Sequence, residues 1–187
     1  VEVTKTSIDG LLVLRPRVFR DQRGYFFESF SQREFDEKVA PIRFVQDNES
    51  MSQRGVVRGL HYQRAPYTQT KLVRCVRGAV LDVAVDIRQG SPTYGQHVAV
   101  ELTEENQLQF FIPKGFAHGF AVLSETAVFE YKCDEFYHPE SEAGVSIMDP
   151  SLGIDWRTPL AEAILSEKDT RLPLLRDIEP WSAAALK

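Results

Sequence analysis

Between Leu11 and Cys133 the chain is a succession of short runs rich in β-branched and aromatic residues, several alternating apolar and polar positions with a period of two. These runs cover residues 11–18, 25–30, 43–48, 56–62, 71–76, 79–87, 97–102, 108–112, 117–123 and 127–133. Turn-forming clusters divide them, among them Asp21-Gln22-Arg23-Gly24, Arg77-Gly78, Gln89-Gly90-Ser91-Pro92 and Pro113-Lys114-Gly115. Many short strands at such spacing predict an antiparallel sandwich or barrel. Helix is confined to short pieces. Ser31-Gln32-Arg33-Glu34 opens one with a capping-box pattern that continues to about Val39, and Ser166-Glu167-Lys168-Asp169 carries the same signature near the C-terminus. The fold class is therefore all-β dominated, with short helices near both ends. One domain is expected over 1–187, its barrel core at about 43–133 and residues 134–187 wrapped on it as loops and short helices.

Within this pattern a few segments place chemistry on strands. Val80 to Ile87 alternates cleanly and sets Asp82, Ala84 and Asp86 on one face. In a barrel interior those acids need partners, and on a solvent face they need none. In Val57-Arg58-Gly59-Leu60-His61-Tyr62-Gln63, strict alternation points Gly59, His61 and Gln63 one way and Leu60 and Tyr62 the other. An unprotonated imidazole between the cations Arg58 and Lys71 suits proton abstraction that leaves an anion, although the segment taken alone reads first as a core histidine with a structural arginine nearby. Tyr131 shares a face with Phe129 and Cys133, and across a cavity from His61 it could return a proton. Lys71, on the face of Val73 and Cys75, could balance an oxyanion. Gln46 and Asn48, two residues apart on a strand, can read a pyrimidine edge or bond nearby backbone. Asp169 reads locally as a helix-cap carboxylate.

Composition narrows the partners. The formal net charge of −5 provides no global basic field for nucleic acid or acidic lipid, so an anionic ligand needs a local cluster such as Arg23, Arg58 and Lys168. Cys75 and Cys133 stand apart with no metal spacing and read as buried thiols of a reducing compartment. No apolar run is long enough for a membrane helix, and a cytoplasmic protein is expected.

Pro113-Lys114-Gly115-Phe116-Ala117-His118-Gly119-Phe120 resembles the second cupin motif, which implies a double-stranded β-helix, the jelly-roll barrel. Its metal-binding members add an earlier His-x-His. This chain has four histidines (61, 97, 118, 138) and no such pair, so no metal is expected. Over about Leu12 to Leu175 the chain resembles the dTDP-4-dehydrorhamnose 3,5-epimerase family. The resemblance lies in Phe19-x-Asp21-x-Arg23-Gly24, Phe27-Glu28-Ser29, Phe44-Val45-Gln46-Asp47-Asn48, Arg58-Gly59-Leu60-His61-Tyr62-Gln63 and Lys71-Leu72-Val73-Arg74-Cys75. It continues in Asp82-Val83-Ala84-Val85-Asp86-Ile87-Arg88, the Pro113–Phe120 motif, Glu130-Tyr131-Lys132, Gly153-Ile154-Asp155-Trp156 and Ser166-x-Lys168-Asp169.

The resemblance implies His61 as general base held by Asp169, Tyr131 as general acid on the other face of the sugar, and Lys71 on the enolate oxygen with His118 near the sugar. It implies diphosphate contacts from Arg23 and Arg58, and nucleotide contacts from Glu28, Gln46, Asp47 and Asn48. Tyr137 matches a thymine-stacking position, and Glu142 and Lys168 match further ligand contacts. It also implies a homodimer with exchanged N-terminal strands, so that Phe19, Arg23 and Glu28 serve the neighbouring site. The expected substrate is a dTDP-4-keto-6-deoxyhexose, with no cofactor. The alternatives are a single-centre epimerase of the same family, a related 3,4-ketoisomerase, a non-catalytic nucleotide-sugar-binding cupin and, more remotely, a metal-dependent cupin oxygenase.

Overall fold

The computed structural model describes residues 1–186 and contains thirteen strands and one short α-helix. The first strands are β1 (Glu2–Lys5), β2 (Leu12–Arg15), β3 (Phe19–Asp21) and β4 (Gly24–Phe26), followed by helix α1 (Gln32–Lys38). Then come β5 (Gln46–Gln53), β6 (Val57–Gln63), β7 (Lys71–Arg77), β8 (Ala79–Asp86) and β9 (His97–Thr103). β10 (Gln109–Ile112), β11 (Phe116–Val122), β12 (Thr126–Cys133) and β13 (Glu142–Gly144) complete the set. They form a six-stranded sheet, β1-β2-β10-β7-β12-β5, and a five-stranded sheet, β13-β6-β11-β8-β9, with β3-β4 as a separate hairpin. Every pairing of these strands is antiparallel.

The two sheets face each other over a core of Val73, Cys75, Phe110, Ile112 and Phe129 from one side and Val80, Ala84, Phe116, Phe120 and Val122 from the other. The outer face of the five-stranded sheet is also dry. Leu81, Val83, Val85, Ala117 and Ala121 pack there against Val145, Ile147, Leu152 and Trp156 of the C-terminal segment. β8 is consequently buried on both faces from Val80 to Asp86. Each large side chain closed off in this way contributes about 2–3 kcal/mol of apolar burial, so the C-terminal wrap stabilises the sheet and positions what it carries.

The sheets reach beyond the expected core, since β1, β2 and β13 lie outside 43–133. Ser31 caps α1 by backbone position, but its hydroxyl makes no cap bond. Glu34 turns instead to Lys38 Nζ at 2.9 Å and to the Val1 amine, so the capping box does not form. Beyond Asp134 the helices are single 3₁₀ turns. Among the described residues no helix is long and apolar enough to cross a membrane.

Candidate active site

The register between β6 and β11 slips at the position that matters most. His118 pairs with His61 but Phe120 pairs with Arg58, so β6 carries one extra residue at Gly59-Leu60. This is a β-bulge. Gly59 takes φ +121°, and a Cβ there would lie 2.7 Å from Gly119 Cα and 2.8 Å from the His118 carbonyl oxygen. The bulge turns Arg58 and His61, three residues apart, into the same cavity, while Val57 and Leu60 join the outer core with Tyr62 packed against it. Strict alternation is thereby corrected, since it is Arg58 that accompanies His61. The sequence did carry the signal, because apolar positions 57, 60 and 62 skip a beat between 57 and 60.

His61 Nε2 sits 2.6 Å from Asp169 Oδ1, and the Gly59 amide donates to Asp169 Oδ2 at 3.1 Å. Burial works against the charge of Asp169. The bonds from His61, the Gly59 amide and Ser166 outweigh it and hold the carboxyl below its usual range. The local cap reading is half right. The Asp169 amide donates to Ser166 Oγ at 3.1 Å, but the carboxylate leaves its own turn and crosses 108 residues to the imidazole.

The facing wall belongs to the six-stranded sheet. Lys71, Cys133 and Gln46 lie in one cross-strand row, and Val73, Tyr131 and Asn48 in the next. Lys71 is buried with Nζ 5.6 Å from the centre of the Tyr131 ring. Burial pulls its ammonium below the usual lysine range, against the opposing pull of Cys133, Asp82 and Glu142. Burial also raises the Tyr131 phenol, with Asn48 and Arg58 acting the other way. Along β5 the more buried positions are Gln46, Asn48, Ser50 and Ser52, a polar inward face on a strand. Sequence reasoning stopped at Asn48. Extending the same i, i+2 pattern reaches Ser52, whose hydroxyl accepts from Arg58 Nε at 2.9 Å. Asp47 points the other way, to Lys132 at 3.0 Å, and does not join Gln46 and Asn48.

A second imidazole–carboxylate pair lies beside the first. His118 Nε2 is 2.8 Å from Asp82 Oδ2, both residues are buried, and Asp82 Oδ1 has no hydrogen-bond partner among the described residues. Burial raises the Asp82 carboxyl and lowers the His118 imidazole, against the attraction between them. Alternation left the place of Asp82 and Asp86 open, and both prove to be fully buried. Asp86 is met by Arg88, Ser91 and Thr93, which overcome its burial and hold it at about 2.

Asn48, Ser50, Arg58, His61, Lys71, His118, Phe120, Phe129 and Tyr131 line one cavity of about 200 Å³. Beside it Glu142 accepts from the Tyr137 hydroxyl at 2.8 Å and pairs with Lys168, while the Tyr137 amide donates to Gln46 Oε1 at 3.1 Å. Phe19, Arg23 and Glu28 are not brought to this cavity. β3 and β4 are exposed throughout, Arg23 bonds Asp21 at 2.6 Å, and Glu28 lines a separate groove with Phe19, Phe30 and Phe35. Among the described residues no three His, Cys, Asp or Glu side chains group as metal ligands.

The arrangement offers a base with its orienting carboxylate on one wall, and a cation with a phenol on the other. Comparison with known proteins gives it a family. Residues 5–177 match the family model described as dTDP-4-dehydrorhamnose 3,5-epimerase. A protein of that name from Pseudomonas aeruginosa strain PAO1 is 54% identical over 171 residues, 90% of this chain and 93% of the relative. The crystal structure of a dTDP-6-deoxy-D-glucose-3,5-epimerase from Legionella pneumophila, in complex with dTDP-4-keto-L-rhamnose, is 52% identical with a TM-score of 0.91 and covers 95% of this chain and 94% of that one. A dTDP-4-dehydrorhamnose 3-epimerase from Streptomyces niveus is 40% identical over 91% of this chain and 82% of its own length. These likenesses bear out the cupin-type jelly roll, and the chain belongs to the dTDP-4-dehydrorhamnose 3,5-epimerase family of isomerases, which act on dTDP-4-keto-6-deoxysugars.

Proposed function

We propose that His61, Asp169, Lys71 and Tyr131 carry out the 3,5-epimerisation of a dTDP-4-keto-6-deoxyhexose in deoxysugar biosynthesis. The observation that carries this reading is the His61–Asp169 pair on one wall of a cavity whose opposite wall presents Lys71 and Tyr131. A ketone at C4 acidifies the hydrogens at C3 and C5. His61 Nε2 is committed to Asp169, which leaves Nδ1 to take each proton. Asp169 fixes the tautomer and stabilises the imidazolium that forms. Charge then develops on the C4 oxygen, where the Lys71 ammonium stabilises the transition state more than the ground state. Tyr131 returns a proton from the opposite wall, inverting the centre. Every step draws on side chains of the chain itself.

Arg58 binds the diphosphate, and Tyr137, Glu142, Lys168 and Gln46 hold the nucleotide end. Phe19, Arg23 and Glu28 complete the site of a second copy in a homodimer. In support, the hairpin leaves Phe19, Tyr25 and Phe26 more than half exposed. The buried free thiols of Cys75 and Cys133 fit a reducing cytoplasm.

Incubation with the 4-keto sugar nucleotide in deuterium oxide tests the reading. Wild type is expected to incorporate label at both C3 and C5 with inversion. His61→Asn is expected to lose exchange at both by about 10³-fold or more, and Tyr131→Phe to retain exchange while losing inversion. Label at a single centre would make the chain a single-centre epimerase, and a folded His61→Asn variant exchanging at the wild-type rate would end the base assignment.

A further inference from the structure

We propose that Gln63 is a positioning residue for nucleotide binding, its side-chain amide holding the backbone on both sides of Tyr137 and so fixing that ring relative to His61. The proposal rests on the reading of Tyr137 as the residue that stacks on the base. Tyr137 lies between β12 and β13 and is about half exposed. A ring so placed offers a ligand one fixed plane only if its backbone is held, because ordering a loose segment costs binding energy. Four consecutive residues here are held by glutamine side chains. Gln69 Nε2 donates to the Glu135 carbonyl at 3.0 Å, and Gln63 Nε2 to the Phe136 carbonyl at 3.1 Å. The Tyr137 amide donates to Gln46 Oε1 at 3.1 Å, and the His138 amide to Gln63 Oε1 at 2.8 Å. Of the three glutamines, Gln63 reaches both neighbours of Tyr137.

Bond polarity fixes the Gln63 amide. The His138 N–H can only donate, so Oε1 faces it, and Nε2 faces two carbonyls, that of Phe136 and, at 2.6 Å, that of Tyr67. Both side-chain N–H groups are thus used inside the protein, and Gln63 is only 4% exposed, so its part is support and not ligand contact. Tyr67 closes the clamp, its ring stacked on the His138 imidazole with centroids 3.6 Å apart and planes at 11°. Gln63 is also the second residue after His61 on β6, a rise of about 6.6 Å along the strand. One short stretch of strand therefore carries the base and anchors the segment that presents Tyr137. Without the amide, two carbonyls and an N–H in a buried place lose their partner, and the segment shifts relative to His61. Nucleotide contacts are the same in the ground state and the transition state, so the loss falls on binding and not on turnover.

Gln63→Met keeps the length of the side chain and removes all three bonds, whereas Gln63→Glu keeps the acceptor for His138 and loses both donors. Each is made in the full chain, alone and combined with Tyr137→Ala. Affinity for dTDP is measured by titration calorimetry, beside kcat and KM for the 4-keto sugar nucleotide. Each Gln63 variant is expected to lose about tenfold in dTDP affinity and to raise KM by a similar factor, the scale of one lost stacking contact. The value of kcat is expected to stay within about threefold of wild type. In the Tyr137→Ala background the same substitutions are expected to change dTDP affinity by less than about twofold, because the ring they aim is gone. Losses that multiply would make Gln63 a support of the fold alone and overturn the proposal, as would a kcat that falls with the affinity or the failure of both variants to fold. If Tyr137→Ala loses affinity while both Gln63 variants bind dTDP as wild type does, the proposal fails and the reading of Tyr137 stands. Wild-type dTDP affinity in Tyr137→Ala fails the reading itself.

Discussion

Two histidines on adjacent strands line the cavity, each bonded to a carboxylate, His61 to Asp169 and His118 to Asp82, and the two pairs differ in their surroundings. Their contacts are alike, 2.6 Å and 2.8 Å, and the two histidines are cross-strand partners. Their surroundings differ. The His61 side chain is one-third exposed, and Asp169 receives a backbone amide as well as the imidazole, so its carboxyl is held below the usual range. Asp82 and His118 are closed off, one Asp82 oxygen has no partner among the described residues, and burial drives the carboxyl up and the imidazole down. The first pair keeps a charge beside an accessible ring. The second moves toward an uncharged pair sharing one proton. On the proposed mechanism, similar geometry serves proton transfer in one place and hydrogen bonding in the other, and desolvation sets the two apart.

Removing the charge of the first pair is the strongest way to break this comparison. In Asp169→Asn the amide can still touch His61, but it no longer stabilises the imidazolium and can present its NH₂ to Nε2, reversing the tautomer. Deuterium exchange at C3 and C5 is expected to fall about 10³-fold while the fold survives. Exchange within tenfold of wild type in a folded variant would mean that Asp169 only packs His61 in place.

The spacing of the two pairs depends on the contact between Gly59 and Gly119. A Cβ on Gly59 meets the Gly119 backbone and the His118 carbonyl, and φ +121° is costly for any other residue. Gly59→Ala is expected to lower unfolding free energy by about 3 kcal/mol, from steric overlap and backbone strain together. Chemical denaturation measures it. An unchanged midpoint would show that the strands can separate without cost, and that the pairs need no fixed register.

How far the sequence carried this comparison differs between the two pairs. His118 stood in a turn-to-strand motif, and Asp82 on a clean alternating run, so both partners were visible as strand residues. Their contact was not, because alternation assigns a face and not a neighbouring strand. Most strands were legible for the same reason: each carries its own period and is bounded by its own turns. β1 was missed, being four residues long with a burial pattern that scarcely alternates. Asp169 lay beyond local reading altogether. Its sequence neighbourhood specifies a turn, and only the C-terminal wrap on the outer face of the five-stranded sheet carries that turn to His61; the family resemblance supplied the partner. The bulge at Gly59-Leu60 is written in the apolar pattern but contradicts strict alternation, which would put Arg58 on the face opposite His61.

The sharpest discrimination between the pairs comes from making the same substitution in the second. An asparagine amide resembles a protonated carboxyl, with one acceptor oxygen and a donor in place of the acid O–H. Where the native carboxylate is charged, as Asp169 is, the amide removes what matters. Where burial has already driven the pair toward neutrality, the amide replaces it nearly in kind, since its NH₂ can donate to His118 Nε2 and no charge is lost from the dry interior. Asp82→Asn is therefore expected to keep exchange and inversion within about tenfold of wild type, a change of about 1.4 kcal/mol or less, with little loss of stability. Parallel exchange kinetics of Asp82→Asn and Asp169→Asn measure the contrast directly. Equal losses in the two variants would mean that Asp82 carries its charge in the working enzyme, and that desolvation does not set the two pairs apart.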